Sequence, residues 1–301
     1  ETNSTDPEAF YQQLPFYQIK ILYILLIMLF AKLGINIFTA THLISTLGAI
    51  FGIWVLLLSF KSHLSRSCLY ILPIFSFAFE ILLVARCSTP DGLAFLMVSL
   101  ITYFLITGNR IIFLMLPLSI LVRTDLIIFV LITDFFLLLN GKKFNVLALV
   151  NIPICLFAFI GVNNYFGNYS WSILFYHTYF EWLTYPAETK VVISPLLYIK
   201  GLYSGLRGLS LNASFFTYVT ITLLSMMIFI NNYSIKCLQS PVALKIFYLF
   251  IASSIYIAAH FILFPTIDSR FFLGEYMLTA IGFMYLLSYV GNPNKIVIKA
   301  N

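Results

Sequence analysis

The chain has 301 residues, of which 61% are hydrophobic, 18% aromatic and only 9% charged, and its formal net charge is +6. A soluble domain carries roughly a quarter charged residues, so this composition excludes a water-soluble globular protein. In a chain this apolar the basic excess marks cytoplasmic loops, and nucleic-acid binding is excluded as its cause. Repeated apolar runs of about 17–25 residues are read as transmembrane helices. They predict an all-α fold, a polytopic transmembrane bundle of about eight to ten helices forming one domain over 1–301.

The chain opens on the polar, acidic ETNSTDPEAF with no initiator Met, and an apolar helix is expected to precede Glu1. PFYQIKILYILLIMLFAKLGI (15–35) is apolar enough to span, yet the acidic start and the parity of later spans place both its ends outside. It is read as an interfacial or partly re-entrant helix with Lys20 and Lys32 at the headgroups, so 1–35 comprise an outer loop and an interfacial helix.

The loop charges then set orientation. Lys61 with Arg66, Arg110, Lys142 with Lys143, Lys236 with Lys245, and Lys295 with Lys299 form five purely basic clusters. The positive-inside bias makes them cytoplasmic, and the C-terminus with them. Asp6, Glu8, Asp91, Glu181, Glu188 and Asp268 alternate with them and belong to the non-cytoplasmic side. Spans are predicted near 38–60, 68–86, 92–108, 145–165, 210–230, 241–264 and 272–290.

Between Arg110 and Lys142 lies IIFLMLPLSILVRTDLIIFVLITDFFLLL (111–139), which must rise and return because both flanks are cytoplasmic. Its halves have about 12 and 15 residues, too few at 1.5 Å per residue for a core of about 30 Å. A short broken hairpin is expected, with Arg123 and Asp125 at its apex. Backbone that turns at membrane depth needs surrounding protein or a water-filled cavity. An ionisable pair there marks a cavity, a substrate path or a partner. The alternative, one long tilted helix with a snorkelling Arg123, would put Lys142 and Lys143 on the outer side.

The longest polar stretch, 163–208, is rich in Trp and Tyr and is read as an outer loop lying on the bilayer surface, interrupted by Pro186 and Pro195. N-x-S/T sequons at Asn3, Asn168, Asn212 and Asn232 are read as chance matches at this composition. Cys68, Cys87, Cys155 and Cys237 have no CxxC spacing and are read as small hydrophobic residues. No repeat, Gly-rich phosphate loop or HExxH motif marks a soluble catalytic domain or a metal site.

The remaining ionisable groups gather at the outer ends of the helices. They are Asp6 and Glu8, Arg86 and Asp91 around CSTPDG, Arg123 and Asp125, His177 and Glu181, and Asp268 and Arg270 in FPTIDSRFFLGEY. Interleaved acids and arginines can hold an anionic head group and leave one carboxylate free as a base. Each residue also has a plain structural reading. Thr89-Pro90-Asp91 suits a helix start. Asp268 and Arg270 could form an ordinary surface pair. His177 fits packing among aromatics, and Asp6 fits a solvated terminus. Glu80, Asp134 and Glu275 lie within helices and have no legible partner.

The acidic first loop followed by PFYQIKILY, the TPDG helix start, the hairpin centred on RTD and the late IDSRFF helix start resemble, in that order, the GT-C superfamily of multi-pass membrane glycosyltransferases. The resemblance covers most of the chain through short, degenerate motifs. It implies a polyprenyl-phosphate-linked sugar donor, a lipid bilayer and a glycan, lipid or protein acceptor as partners, with chemistry on the non-cytoplasmic face and no nucleotide-binding fold. Asp6 matches the family's loop base and Glu8 is the nearby substitute; the first helix that precedes this loop in the family is absent from the chain. Direct displacement at the anomeric carbon is implied, with Arg123 and Arg270, then Arg86, offsetting the phosphate charge. Asp91 and Asp125 would hold acceptor hydroxyls or orient the arginines, and His177 and Asp268 would join the substrate site. A divalent cation is an option that no spacing demands. A glycan polymerase or ligase, a transporter or flippase of a lipid-linked or anionic substrate, and a noncatalytic scaffold are the competing readings.

Overall fold

A computed structural model describes residues 6–140, 145–232, 240–266 and 268–290, and every regular element within them is helical. Asn3, Lys142, Lys143, Lys236, Cys237, Lys295 and Lys299, and the side chain of Asn232, lie outside the described residues. In chain order the helices are α1 (Pro7–Gln13), α2 (Pro15–Gln18), α3 (Ile21–Lys32), α4 (Ile37–Phe60), α5 (Arg66–Ala78), α6 (Ile81–Arg86), α7 (Asp91–Thr107) and α8 (Ile112–Val122). A 3-10 turn (Thr124–Leu126) leads into α9 (Ile127–Asn140), followed by α10 (Asn145–Tyr165), α11 (Trp171–Tyr179), α12 (Pro195–Leu209), α13 (Ala213–Asn232) and α14 (Pro241–Leu263). A second 3-10 turn (Ser269–Phe272) opens α15 (Leu273–Val290).

Five stretches are long and apolar enough to cross a membrane: α4, α10, α13, α14 and the last turn with α15. A sixth would be the pair 7–18 and 21–32, which is bent by 107°. The architecture is a polytopic membrane helix bundle. Its most apolar stretches differ in depth: 72% of the α15 window is buried against 22% for α10 and α13, so α15 is central and the other two are peripheral. Exposed Val146, Leu149, Val150 and Phe157 on α10 give that helix the apolar outer surface a lipid solvent requires.

The tightest crossing joins α4 to α7. A Cβ built on Gly92 would stand 2.0 Å from Ser45 O, and one on Gly48 2.5 Å from the Gly92 carbonyl carbon, so only glycine permits this approach. One turn away, α4 satisfies the last carbonyls of α6. Ser45 Oγ donates to Val84 O, Thr46 Oγ1 to Ala85 O, and the His42 ring nitrogen bonds Arg86 O at 2.7 Å. These contacts take up carbonyls that a helix end leaves free, and they fix the loop that delivers Asp91.

The 111–139 run is a hairpin. Ile112 and Leu137, near the ends of its two legs away from the apex, line one small cavity with Gly108 and Lys245, while Arg123 lies at the apex. The legs have 11 and 14 residues, about 16 and 21 Å at 1.5 Å per residue, short of a span as expected. Far from the apex, Asn151 Nδ2 of α10 donates to both oxygens of the buried Asp134 at 3.1 and 3.0 Å, giving that acid its partner.

Two expectations change. The predicted helix 68–86 is broken: Glu80 adopts φ 62° and ψ 35°, ending α5 and starting α6. This left-handed conformation costs roughly 1–2 kcal/mol for a residue with a Cβ, and the hydrogen bond its side chain makes helps to hold it. Pro73, the residue that sequence rules would blame, sits inside an unbroken α5. The 163–208 stretch is also more ordered than a surface loop, because it contains α11 and α12. Gly201 of α12 packs on Phe175 of α11 and Gly205 packs on Pro265, while Leu196, Ile199, Tyr203 and Leu206 are exposed on its other face. Cys68, Cys87 and Cys155 carry free thiols.

Candidate functional site

The start of α7, the end of α8, the turn that opens α15 and the bend between α2 and α3 meet at one end of the bundle around a cavity of about 120 Å³. It is lined by Lys20, Asp91, Arg123, Asp125 and Arg270, with Ile19, Thr89, Pro90, Thr124 and Phe271. A larger apolar cavity of about 350 Å³ lies between α13, α14 and α15, but no ionisable side chain except the Tyr285 phenol lines it. Its α14 residue nearest the charged end, Ile251, is nine residues from His260, about 14 Å along the axis, so the two cavities are separate.

Each charged residue reaches the cavity by local chemistry. Arg123 is extended (φ −148°, ψ 120°), which breaks α8 from the following turn and swings the guanidinium inward. Its Nε donates to Asp125 Oδ1 at 3.1 Å and its Nη2 to Asp125 Oδ2, the bidentate geometry that suits a buried guanidinium. Nη1 donates to Asp91 Oδ1 at 3.1 Å and to Phe271 O at 3.4 Å. Asp91 begins α7 behind Pro90 and also accepts from Thr89 Oγ1 at 2.7 Å. Asp91 thus starts a helix and lines the charged cavity at the same time.

Asp268 caps the turn that opens α15, its Oδ1 accepting the Arg270 N–H at 3.2 Å. Arg270 Nε lies 2.6 Å from Asp268 Oδ2 and 3.6 Å from Asp91 Oδ2, off the hydrogen-bond axis, so both contacts are ionic. Burial pushes the Asp268 carboxyl up, Arg270 opposes this, and the charges of Asp91 and Glu80 add to the rise. The Phe271 ring has the Arg123 guanidinium 4.7 Å and the Arg270 guanidinium 5.2 Å from its centroid, within cation–π reach of both. Ser269 Oγ donates to Glu80 Oε2, which ties the strained break between α5 and α6 to this turn.

Four contributors were not read from the sequence as site residues. Tyr256 O–H donates to Asp125 Oδ2 at 2.8 Å, and His260 Nε2 lies 3.3 Å from the same oxygen. They sit four residues apart on α14, a helical spacing that puts both on one face. Lys20, read as a headgroup anchor, turns into the cavity at the bend between α2 and α3 and stands 5.2 Å from the Tyr17 ring centroid. Glu80 is the fourth. Of the buried side-chain atoms without a hydrogen-bond partner among the described residues, three belong to this end of the bundle: His260 Nδ1, Arg270 Nε and Glu275 Oε1, with Glu275 lining a small void beside Arg123 and Arg270.

Of the predicted site residues, Asp91, Arg123, Asp125, Asp268 and Arg270 come together. Asp6 does not line the cavity; it caps α1, accepting from Glu8 N at 2.9 Å and Ala9 N at 3.4 Å, and Tyr185 O–H donates to its other oxygen. The Tyr185 hydrogen bond holds the Asp6 carboxyl below the usual range and pushes the Tyr185 phenol up. Glu8 is exposed and accepts from Gln12 Nε2 at 3.1 Å. Arg86 is exposed, and its carbonyl serves His42. His177 packs between Trp182 and Phe16, its Nδ1 accepts from Leu183 N at 3.1 Å, and burial lowers its pKa, all consistent with the packing reading.

Chemically, the cavity separates committed from uncommitted groups. Every donor nitrogen of Arg123 is engaged, and both oxygens of Asp91 and Asp125 are occupied. Lys20 Nζ makes no hydrogen bond or ion pair with a described residue, and the terminal amino groups of Arg270 donate to none. Three cations against two carboxylates therefore line a cavity that is complementary to an anion. Among the described residues no group of three His, Cys, Asp or Glu side chains is placed to hold a metal ion. No family model matches the chain, and neither a curated protein nor a solved structure matches it.

Proposed function

We propose that this protein is a membrane glycosyltransferase of GT-C type that takes a sugar from a polyprenyl-phosphate donor on the non-cytoplasmic face, its C-terminus being cytoplasmic. The observation that carries the reading is that Lys20 and Arg270, whose Nζ and terminal amino groups donate to no described residue, line one cavity with the Asp91–Arg123–Asp125 ion pairs. A lipid phosphate docked there gains charge-assisted hydrogen bonds. As the glycosidic C–O bond breaks, negative charge grows on that phosphate, and donors already aimed at it favour the transition state over the ground state. Arg123 serves as the post that holds Asp91 and Asp125 apart, so that Arg270 is positioned before the substrate arrives. The acceptor is a lipid, glycan or protein hydroxyl that approaches from the same end.

A second reading is favoured by the broken helices at 19–20 and at Glu80, because interrupted helices at membrane depth also build transporter sites. Reconstitution in nanodiscs with radiolabelled polyprenyl-phosphate sugars separates the two. Transfer of label to an acceptor supports the enzyme, whereas movement of intact donor or anion across proteoliposomes without transfer supports the transporter.

A further inference from the structure

The proposed transfer releases one proton from the acceptor hydroxyl, and a carboxylate with a free oxygen must take it. Asp91 and Asp125 are locked by Arg123 and their other partners. Both oxygens of Asp268 face Arg270. Asp6 stands at the head of α1 with its oxygens on backbone N–H groups and Tyr185. Glu275 is buried beneath the arginines, where an acceptor cannot reach it.

Glu8 is exposed on α1 and accepts from Gln12 Nε2. Glu80 is not among the residues that line the cavity, but Ser269 joins it to the turn that carries Arg270. It is half-buried, Ser269 Oγ holds its Oε2, and no described residue donates to its Oε1. Among the described residues it is the one with a side chain beyond hydrogen that adopts positive φ, at 62°. The break this makes points the carboxylate at the residue beside Arg270. Backbone held in such a conformation within an apolar run gathers at functional sites.

The geometry points to Glu80 as the proton acceptor of this site, an assignment that rests on the glycosyltransferase reading. The acceptor O–H gives its proton to Glu80 Oε1 as the acceptor oxygen bonds to the anomeric carbon. The bond from that carbon to the phosphate oxygen breaks with its electron pair, leaving a polyprenyl phosphate beside Lys20 and Arg270. The protonated Glu80 then returns its proton to water. Ser269 orients the carboxylate through the oxygen that does not react.

Glu80→Gln is the discriminating variant, because its amide oxygen still accepts from Ser269 and its shape is unchanged, but it cannot take a proton. In nanodiscs this variant is expected to lose about 10²–10⁴-fold in transfer rate. Its Kd for polyprenyl phosphate and its melting temperature should stay at the wild-type values, while Glu80→Asp keeps measurable activity with the acid limb of its pH profile intact. Transfer by Glu80→Gln within twofold of wild type would overturn the assignment and leave the glycosyltransferase reading standing. So would a parallel fall in binding and melting temperature, which marks a structural role. A wild-type protein that transfers no sugar removes both.

Discussion

Arg123 Nη1 sits 3.1 Å from Asp91 Oδ1, and the two side chains are only 5% and 3% exposed. Thirty-two residues separate them, so this bond ties the apex of the α8–α9 hairpin to the start of α7. A buried pair costs desolvation, and its value here lies in fixing geometry: the same guanidinium also grips Asp125, and Asp125 holds Tyr256 and His260 of α14.

Removing one member of such a cluster leaves its partners charged and unpaired. Arg123→Leu is therefore expected to cost about 3–5 kcal/mol. Arg123→Lys should recover only part of this, because an ammonium cannot reproduce the bidentate contact. Thermal unfolding in detergent or nanodiscs checks both, and a wild-type melting temperature for Arg123→Leu would contradict the central role of the cluster.

Lys20 predicts the opposite pattern. Its ammonium makes no hydrogen bond or ion pair with a described residue, so Lys20→Ala should leave the melting temperature nearly unchanged. The contact it offers an anion is of the charge-assisted kind worth about 1.5–3 kcal/mol, so binding of polyprenyl phosphate should weaken roughly 10- to 150-fold. Titration of the lipid phosphate against both proteins measures this directly.

The α4–α7 crossing gives a steric prediction with an internal control. Gly92→Ala would force a Cβ to 2.0 Å from the Ser45 carbonyl oxygen, so the helices must separate and carry Asp91 away from Arg123. A loss of about 1–3 kcal/mol or more is expected. Gly161→Ala on α10 meets nothing within 4 Å and should be neutral or gain about 0.5–1 kcal/mol of helix stability. Equal melting temperatures for the two variants would refute the close crossing.

Asp6 and Tyr185 give a pH prediction whose sign follows from the direction of the shift. Their hydrogen bond holds the folded Asp6 carboxyl below its ordinary value of 3.8. What it contributes to docking the 180–188 segment is thus complete above that value and is lost as pH falls through the depressed one. Tyr185→Phe should move the Asp6 titration upward toward 3.8, as read by NMR of carboxyl-labelled aspartate. An unmoved titration would show that the phenol does not set it.

Much of this site was legible because charges in an apolar chain have few ways to be satisfied. The RTD, TPDG and DSR segments each place an ion at a helix end, and neutralisation in a low-dielectric environment brings them together. The hairpin followed from the basic residues at both flanks and the short length of each leg. What stayed hidden was which face of each neighbouring helix completes the cluster. Tyr256 is one of 19 tyrosines, and His260 is a lone histidine in an apolar run, so nothing local singles them out. The break at Glu80 has no Gly or Pro signal, because it is set by Ser269, 189 residues away. Lys20 looked like a headgroup anchor because the bend that turns it inward depends on how α3 packs against α4 and α8. Asp6, read as a solvated acid or a loop base, instead caps α1 in front of Pro7.

The central claim is that Lys20 and Arg270 receive the phosphate of a lipid-linked sugar whose sugar is then transferred. The most direct measurement is label transfer from polyprenyl-phosphate sugars by the protein in nanodiscs, comparing wild type with the Lys20→Ala/Arg270→Ala double variant. Transfer by the wild type is expected, with a fall in kcat/KM of about 10²-fold or more for the double variant, consistent with the loss of two charge-assisted contacts. Equal transfer by both proteins, or none by the wild type from any polyprenyl-phosphate donor, would contradict it.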